Sequence, residues 1–191
     1  RSQVEVLSAV TEEYLRFARL PKPKLEVGAV APMIEDLAEF VREDLRARKV
    51  NLVVAVADGL PAMRLDAGQI RRGLLNLVRN AAEAMPDGGT LTLRVNVFSS
   101  ADLRISNLEM PNSQSAIVME IADTGVGIPP ENLERIFEPF FTNKEGGTGL
   151  GLAIARQIAV DQGGSLTCES TQGVGTTFRL TLPIPNGERL P

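Results

Sequence analysis

The sequence predicts an α+β fold: a two-layer sandwich of a mixed, mainly antiparallel sheet packed on helices, preceded by one amphipathic helix. Two observations carry this. Alternating apolar residues at 91–97 and 117–121, and again at 165–170 and 176–182, mark strand pairs that read as antiparallel hairpins. Between these pairs run segments of helical apolar period, without the strict alternation that a doubly wound parallel sheet requires. The 191 residues suit one medium domain with a small appendage, and 43% hydrophobic with 23% charged residues exclude wholesale disorder.

Val4, Leu7, Val10, Tyr14, Phe17 and Leu20 recur at helical spacing and predict the leading helix. Pro21 and Pro23 end it, and the segment 21–24 reads as a stiff hinge and the one candidate boundary. A lone amphipathic helix cannot bury its own stripe. Residues 1–25 are therefore expected to be an appendage that packs on a partner helix, and residues 26–191 the main domain. Met33, Ile34, Leu37, Phe40, Val41 and Leu45 predict the next helix, with Pro32 acceptable in its first turn. Val50, Leu52, Val54 and Val56 alternate as a strand. Asp66 followed by Gln69 resembles a capping box and opens a long helix to about Met85. Turn residues Pro86-Asp-Gly-Gly89 lead into the first hairpin, whose connection over 99–115 reads as a long surface loop. Helices are expected at 131–137 and 150–162, the second stopping at Gly163-Gly164. The closing hairpin turns through Gln172-Gly-Val-Gly175.

A formal charge of −4 offers no basic footprint, so no nucleic-acid partner is expected. No run approaches the ~20 apolar residues of a membrane span, so no membrane contact is expected within this chain. Cys168, the single cysteine, permits no internal disulfide, sits in an apolar-alternating stretch as an inert thiol, and points to a reducing cytoplasm. The first residue is Arg1 rather than Met, which predicts a fragment or processed chain, and histidine is absent.

Three segments bear on chemistry. On a helical wheel Ile70, Leu74, Leu77, Val78, Ala81 and Met85 share one arc, while Asn76 and Asn80 point nearly opposite with Glu83 and Gly73 beside them. Asparagine is a poor helix former, and its neutral amide oxygen can ligate Mg²⁺ without weakening the metal's attraction for phosphate. Taken alone, this face reads as solvated and polar. Asp123-Thr-Gly125-Val-Gly127-Ile128 follows directly on a strand, so the glycines permit close approach of a flat ligand and the aspartate can accept from an adenine amino group. A tight turn with a capping aspartate is the rival account. Gly146-Gly-Thr-Gly-Leu-Gly151 precedes a helix and offers an anion site of backbone N–H groups, or simply a flexible loop. It matches neither the P-loop nor the dinucleotide-binding glycine pattern. Phe137-Glu-Pro-Phe-Phe-Thr-Asn-Lys144 concentrates three of seven phenylalanines in five residues, as core packing or as a latch for a lid.

In order, these segments resemble the histidine-kinase branch of the family shared by gyrase, Hsp90, histidine kinases and MutL. Leu75-Asn-Leu-Val-Arg-Asn-Ala81 looks like its N box, the stretch 123–128 its G1 box, 137–144 its F box and 147–154 its G2 box. Gly173-Val-Gly-Thr-Thr-Phe178 is similar to its closing strand. The resemblance covers roughly 26–185 and implies a Bergerat ATP-binding fold, with ATP and Mg²⁺ as ligands.

By that resemblance Asn80 ligates Mg²⁺, and Asn76, Asn80 and Lys144 serve the phosphoryl transfer. Asp123 binds the adenine amino group; Glu83, Ala84, Gly125, Gly127 and Ile128 shape the surroundings, and Thr176 supports the base. Thr142, Lys144, Gly147, Thr148, Gly149, Leu150 and Gly151 belong to the lid and the phosphate end. The gyrase and Hsp90 branches carry a glutamate base where Asn76 stands, so transfer to a protein side chain suits this chain better than hydrolysis. The F box ends Thr142-Asn143-Lys144 where Thr-Thr-Lys is usual, and Ala84 is smaller than its counterpart in many relatives. The implied function is the catalytic domain of a two-component sensor histidine kinase, with residues 1–25 the second helix and hinge of its dimerisation hairpin. The implied partners are ATP or ADP, a phosphoacceptor histidine on a helix outside this chain, a response-regulator receiver domain, and a second copy joined through the N-terminal helix. The implied setting is the cytoplasmic side, with any membrane anchor upstream. A Bergerat-type ATPase, a serine-directed kinase of the same fold and a non-catalytic interaction module are the alternatives.

Overall fold

The computed structural model describes residues 20–99, 115–144 and 146–184. The expected leading helix and the body of the 99–115 connection lie outside these residues. The described elements are β1 (Glu26–Gly28), α1 (Val30–Ala47), β2 (Val50–Val56), β3 (Met63–Leu65), α2 (Ala67–Glu83), β4 (Gly89–Ser99) and β5 (Ser115–Asp123). A 3₁₀ turn (Pro130–Asn132), α3 (Gly151–Asp161), β6 (Ser165–Thr171) and β7 (Gly175–Ile184) complete them.

Five strands form the main sheet in the order β2-β4-β5-β7-β6. The β2–β4 pair is parallel and the other three pairs are antiparallel, which is the mixed sheet expected. The strand residues alternate as the pleat demands. Leu91, Leu93, Val95, Met119, Ile121, Phe178, Leu180 and Leu182 face the helices and join one core with the apolar stripes of α1, α2 and α3. The opposite face carries a charged ladder across three neighbouring strands and one beyond: Arg94 and Arg179 both bind Glu120, and Arg179 also binds Glu169. One sheet face is therefore committed to the helices and the other to solvent-compatible side chains.

The α2 stripe read from the wheel is the buried one: Ile70, Leu74, Leu77, Val78 and Ala81 are all in the core. Asp66 caps the helix, its Oδ1 accepting from Gln69 N–H at 2.9 Å. Its Oδ2 also accepts from Lys24 N–H at 2.9 Å, and Gln69 Nε2 donates to Pro21 O at 2.8 Å. The predicted hinge is thus tied to the start of α2. Asp66 N–H donates to Gln162 Oε1 at 2.8 Å, which sets the end of α3 beside the start of α2. The two helices run antiparallel, and Gly73, drawn on the wheel beside the asparagines, faces Ala155 and Ile158 of α3 instead.

Two expectations change. The helix expected at 131–137 is a 3₁₀ turn followed by further turns, in which Arg135 N–H donates to Asn132 O and Glu138 N–H to Arg135 O. Leu133, Ile136 and Phe137 have helical spacing, but Pro139 has no N–H to extend the ladder. The small sheet of β1 and β3 was unanticipated, because three-residue strands hold too little alternation to register.

Replacing Asp66 by Ala should cost about 1–2 kcal/mol of stability, since a cap and the hinge tie go together. Urea unfolding measures this, and amide exchange at Gln69 and Lys24 should quicken in the same variant.

Candidate nucleotide site

Where α2 and α3 part beneath the sheet they leave a cavity of about 550 Å³. Its floor comes from the C-terminal half of α2, its far wall from the end of β5, and its roof from the loop between β5 and α3. Most of the residues singled out in the sequence meet here: Asn76, Asn80, Glu83, Ala84, Asp123, Gly127 and Ile128 line it. So do Thr142, Lys144, Gly147, Thr148, Gly149, Gly151 and Thr176.

Asp123 ends β5 opposite Thr176 of β7, and is 7% exposed. Its Oδ1 accepts from Gly125 N–H at 2.8 Å, which turns the chain away from the strand and leaves the carboxylate at the cavity wall. Burial pushes its pKa above the ordinary carboxylate value; the backbone N–H groups of Gly125 and Thr176 and the Lys144 charge offset this only in part. Thr176 is itself held by Ser170, hydroxyl to hydroxyl at 3.0 Å. Cys168 lies on the neighbouring strand, its thiol pushed up to about 12 by burial and by the charges of Asp123 and Glu169, as an inert sulfur.

The other end of the cavity is polar on α2 and glycine-rich above it. Asn76 Nδ2 donates to Gly151 O at 3.1 Å, clamping the middle of α2 to the start of α3. α3 begins without a side-chain cap, and Gly151 and Leu152 of its first turn line the cavity. Lys144 reaches down from the loop to Glu83, Nζ to Oε2 at 2.6 Å, and lies 3.4 Å from Asn80 Oδ1. Partial burial pushes the Glu83 carboxyl up, but Lys144 and then Arg79 outweigh it and hold the group below its ordinary value.

The three clustered phenylalanines divide their work. Phe137 packs edge-on against Phe178, centroids 6.4 Å apart, and Phe141 faces the cavity with the Arg135 guanidinium 4.5 Å from its ring. Phe140 remains half exposed with a left-handed backbone, φ 69°. It donates its N–H to Gly149 O at 3.0 Å, which ties this segment to the glycine-rich stretch.

Two expected site residues do not line the cavity. Gly125 backs onto the end of α2, where Val126 N–H donates to Ala84 O at 3.0 Å. Leu150 is fully buried in the core, with its N–H 3.4 Å from Thr148 Oγ1. Its apolar side chain fastens the end of the glycine-rich loop to the core. Conversely, Asn132, Ile136 and Gln172 line the cavity and were not anticipated. Their only sequence signal was position, since Asn132 and Ile136 sit between the glycine and phenylalanine segments and Gln172 in the closing turn.

The sequence model of the "Histidine kinase-, DNA gyrase B-, and HSP90-like ATPase" family matches residues 65–186. Sensor kinase CckA of Brucella abortus is 36% identical over 179 residues, covering 92% of this chain and 19% of that protein. Sensor histidine kinase ZraS of Escherichia coli K12 is 30% identical over 182 residues, covering 95% of this chain and 36% of that protein. The chain thus spans well under half the length of these curated relatives. Among solved structures, full-length ShkA in complex with AMPPNP aligns with a TM-score of 0.77 at 26% identity, covering 94% of this chain and 36% of that one.

Gly149 and Gly146 both have positive φ, but a Cβ at Gly149 would run into the Phe140 backbone whereas at Gly146 it meets nothing within 4 Å. Gly146→Ala should therefore cost about 1 kcal/mol for its backbone alone, and Gly149→Ala clearly more. Paired thermal unfolding curves test the order; equal losses would refute the close packing of Gly149 on Phe140.

Proposed function

Because the chain belongs to the histidine kinase-, DNA gyrase B- and HSP90-like ATPase family, as an ATP-binding catalytic domain of the histidine-kinase kind, we propose that it delivers the γ-phosphoryl group of Mg·ATP to a histidine on another segment or chain. One observation carries this reading. Asp123, Asn80 and the glycine-rich loop line one and the same cavity of about 550 Å³.

In this reading Asp123 accepts from the adenine amino group, Ala84, Gly127 and Ile128 flank the base, and Thr176 fixes the aspartate's neighbourhood. Thr142, Gly147, Thr148 and Gly149 close over the phosphates, with the uncapped start of α3 facing them at Gly151. A divalent cation suits the α2 face: the Asn80 amide oxygen is a hard donor, open to the cavity, and already has a cationic ammonium 3.4 Å away. When bound, Mg²⁺ would be held by Asn80 and would supply positive charge that offsets the charge of the transferred group. Asn76 holds α3 in place and supplies no carboxylate, so water has no general base at that position.

The acceptor histidine, a receiver-domain aspartate as the next acceptor, and pairing of two copies through residues 1–25 complete the proposal. So does a cytoplasmic setting. No helix among the described residues is long and apolar enough to cross a membrane.

Calorimetry with ATP and Mg²⁺ tests the site. Asp123→Ala removes a charged hydrogen-bond acceptor and should weaken binding by about 10- to 100-fold; Asn80→Ala should weaken it only when the metal is present. Wild-type affinity in both variants would overturn the assignment. Phosphoryl transfer is tested by mixing the chain, [γ-³²P]ATP and a histidine-bearing helical hairpin from a sensor kinase. Steady hydrolysis without transfer would favour the ATPase alternative.

The Asp123 carboxylate accepts best when ionised. Because burial raises its pKa, ATP affinity should begin to fall at a higher pH than an exposed aspartate would give, and keep falling as pH drops through that pKa. Asp123→Asn cannot titrate, so its weaker affinity should lose this limb of the pH profile.

A further inference from the structure

Glu83 lies three residues after Asn80 and therefore on the same face of α2. Its two oxygens are shared between cations: Oε1 lies 3.0 Å from Arg79 Nε and Oε2 lies 2.6 Å from Lys144 Nζ. Lys144 is the cation that comes from elsewhere in the chain, across 61 residues, and it also approaches Asn80 Oδ1. An amide oxygen and a carboxylate oxygen thus converge on one small cation above α2. Hard oxygen donors of this kind suit Mg²⁺ or Mn²⁺, whereas an ammonium is a point charge without coordination demands.

The geometry points to Asn80 and Glu83 as one cation seat that Lys144 fills in the ligand-free chain and yields to a divalent ion arriving with the nucleotide. The inference rests on the nucleotide reading above and adds to it a second residue for the metal and a role for the lysine. Glu83 is then a positioning residue with two tenants in turn. Without nucleotide it holds the lid lysine down on α2. With nucleotide it faces the metal, directly or through water, and Lys144 is released toward the phosphates. A divalent ion between Asn80 and Glu83 would repel the Lys144 ammonium from the same oxygens, so one displaces the other. Exchange needs no unfolding, since the Lys144 and Glu83 side chains remain 46% and 31% exposed. An ordinary surface ion pair would be indifferent to the metal, and that is the competing account.

The test uses the full chain and Mn²⁺, with free metal counted by electron paramagnetic resonance in wild type, Lys144→Met, Glu83→Gln and the double variant. Circular dichroism confirms folding in each. Without nucleotide, Lys144→Met should bind Mn²⁺ about fivefold more tightly than wild type, the worth of a good exposed ion pair. Adding Glu83→Gln should erase that gain. Hydrogen exchange over residues 142–149 should quicken in Glu83→Gln alone, where the lysine has lost its hold. Unchanged Mn²⁺ affinity in Lys144→Met, a gain that survives in the double variant, or an unaltered lid in Glu83→Gln would each overturn the seat. Calorimetry of wild type with ADP and Mn²⁺ separates the two levels. Failure of ADP to bind sinks the nucleotide reading itself, whereas normal binding beside unchanged metal affinity in Lys144→Met sinks only the exchange.

Discussion

The antiparallel docking of α2 on α3 is the constraint on which the rest of the molecule depends. It is fixed by apolar packing along the helix pair and by hydrogen bonds at either end of the overlap. Asp66 N–H meets Gln162 Oε1 where α3 finishes, and Asn76 Nδ2 meets Gly151 O where α3 starts. Beyond Gly151 the chain no longer follows α2, because the residues before it are the glycine-rich loop. The cavity is the space left where that packing stops. Its position therefore follows from the length of the α2 stripe and from the point at which α3 begins, not from any dedicated pocket element. The last residue of β5 then forms the far wall of the cavity, and a buried carboxylate arrives there because a strand end is where the pleat gives way to a turn.

The charges in this space are arranged by burial. Burial of Asp123 against the core outweighs its backbone N–H partners and the Lys144 charge, so its ionised form is disfavoured and an added hydrogen-bond donor relieves it. Glu83 has two cations on its two oxygens, so its ionised form is favoured and it has little appetite for a proton. Two carboxylates in one cavity are thereby driven apart. The first is suited to hold a neutral, donor-bearing ring, and the second to hold cations.

Much of this was legible in the sequence, for identifiable reasons. The α2 stripe was readable because its burial obeys the helical period over many turns, and the strands were readable because the sheet has one apolar face. Order of motifs did the work that single motifs could not: neither the asparagine face nor either glycine cluster identified a ligand alone. What stayed hidden depends on contacts between distant segments. Nothing local marks the β1–β3 pairing, the Gly151 carbonyl that engages Asn76, or the reach of Lys144 to Glu83. The apparent helix at 131–137 failed for a different reason. Apolar spacing reports which side chains are buried, and a series of turns around Ile136 and Phe137 buries them just as well. Leu150 was read as a ligand neighbour from its place in a motif; what its sequence position did not disclose is that its side chain is fully buried and fastens the glycine-rich loop to the core.

The nature of the proposed acceptor can be argued from what the cavity withholds. Water and serine must lose a proton as they attack phosphorus, so a site that uses them does best with a base tuned near neutral pH. Asn76 is an amide already committed to a carbonyl, and Glu83 is held ionised and weakly basic by Lys144 and Arg79. Asp123, whose pKa is raised, is engaged by the Gly125 and Thr176 backbone N–H groups, and the proposed reading gives it to the base rather than to the phosphates. An imidazole needs none of these groups. In its neutral form, abundant near pH 7, it already carries a free lone pair on one ring nitrogen. No histidine occurs among the 191 residues, so in this reading the nucleophile is brought to the site. In the same reading, a cavity that holds ATP but does not activate water keeps the phosphoryl group intact until that nucleophile docks, which is the property a signalling donor requires.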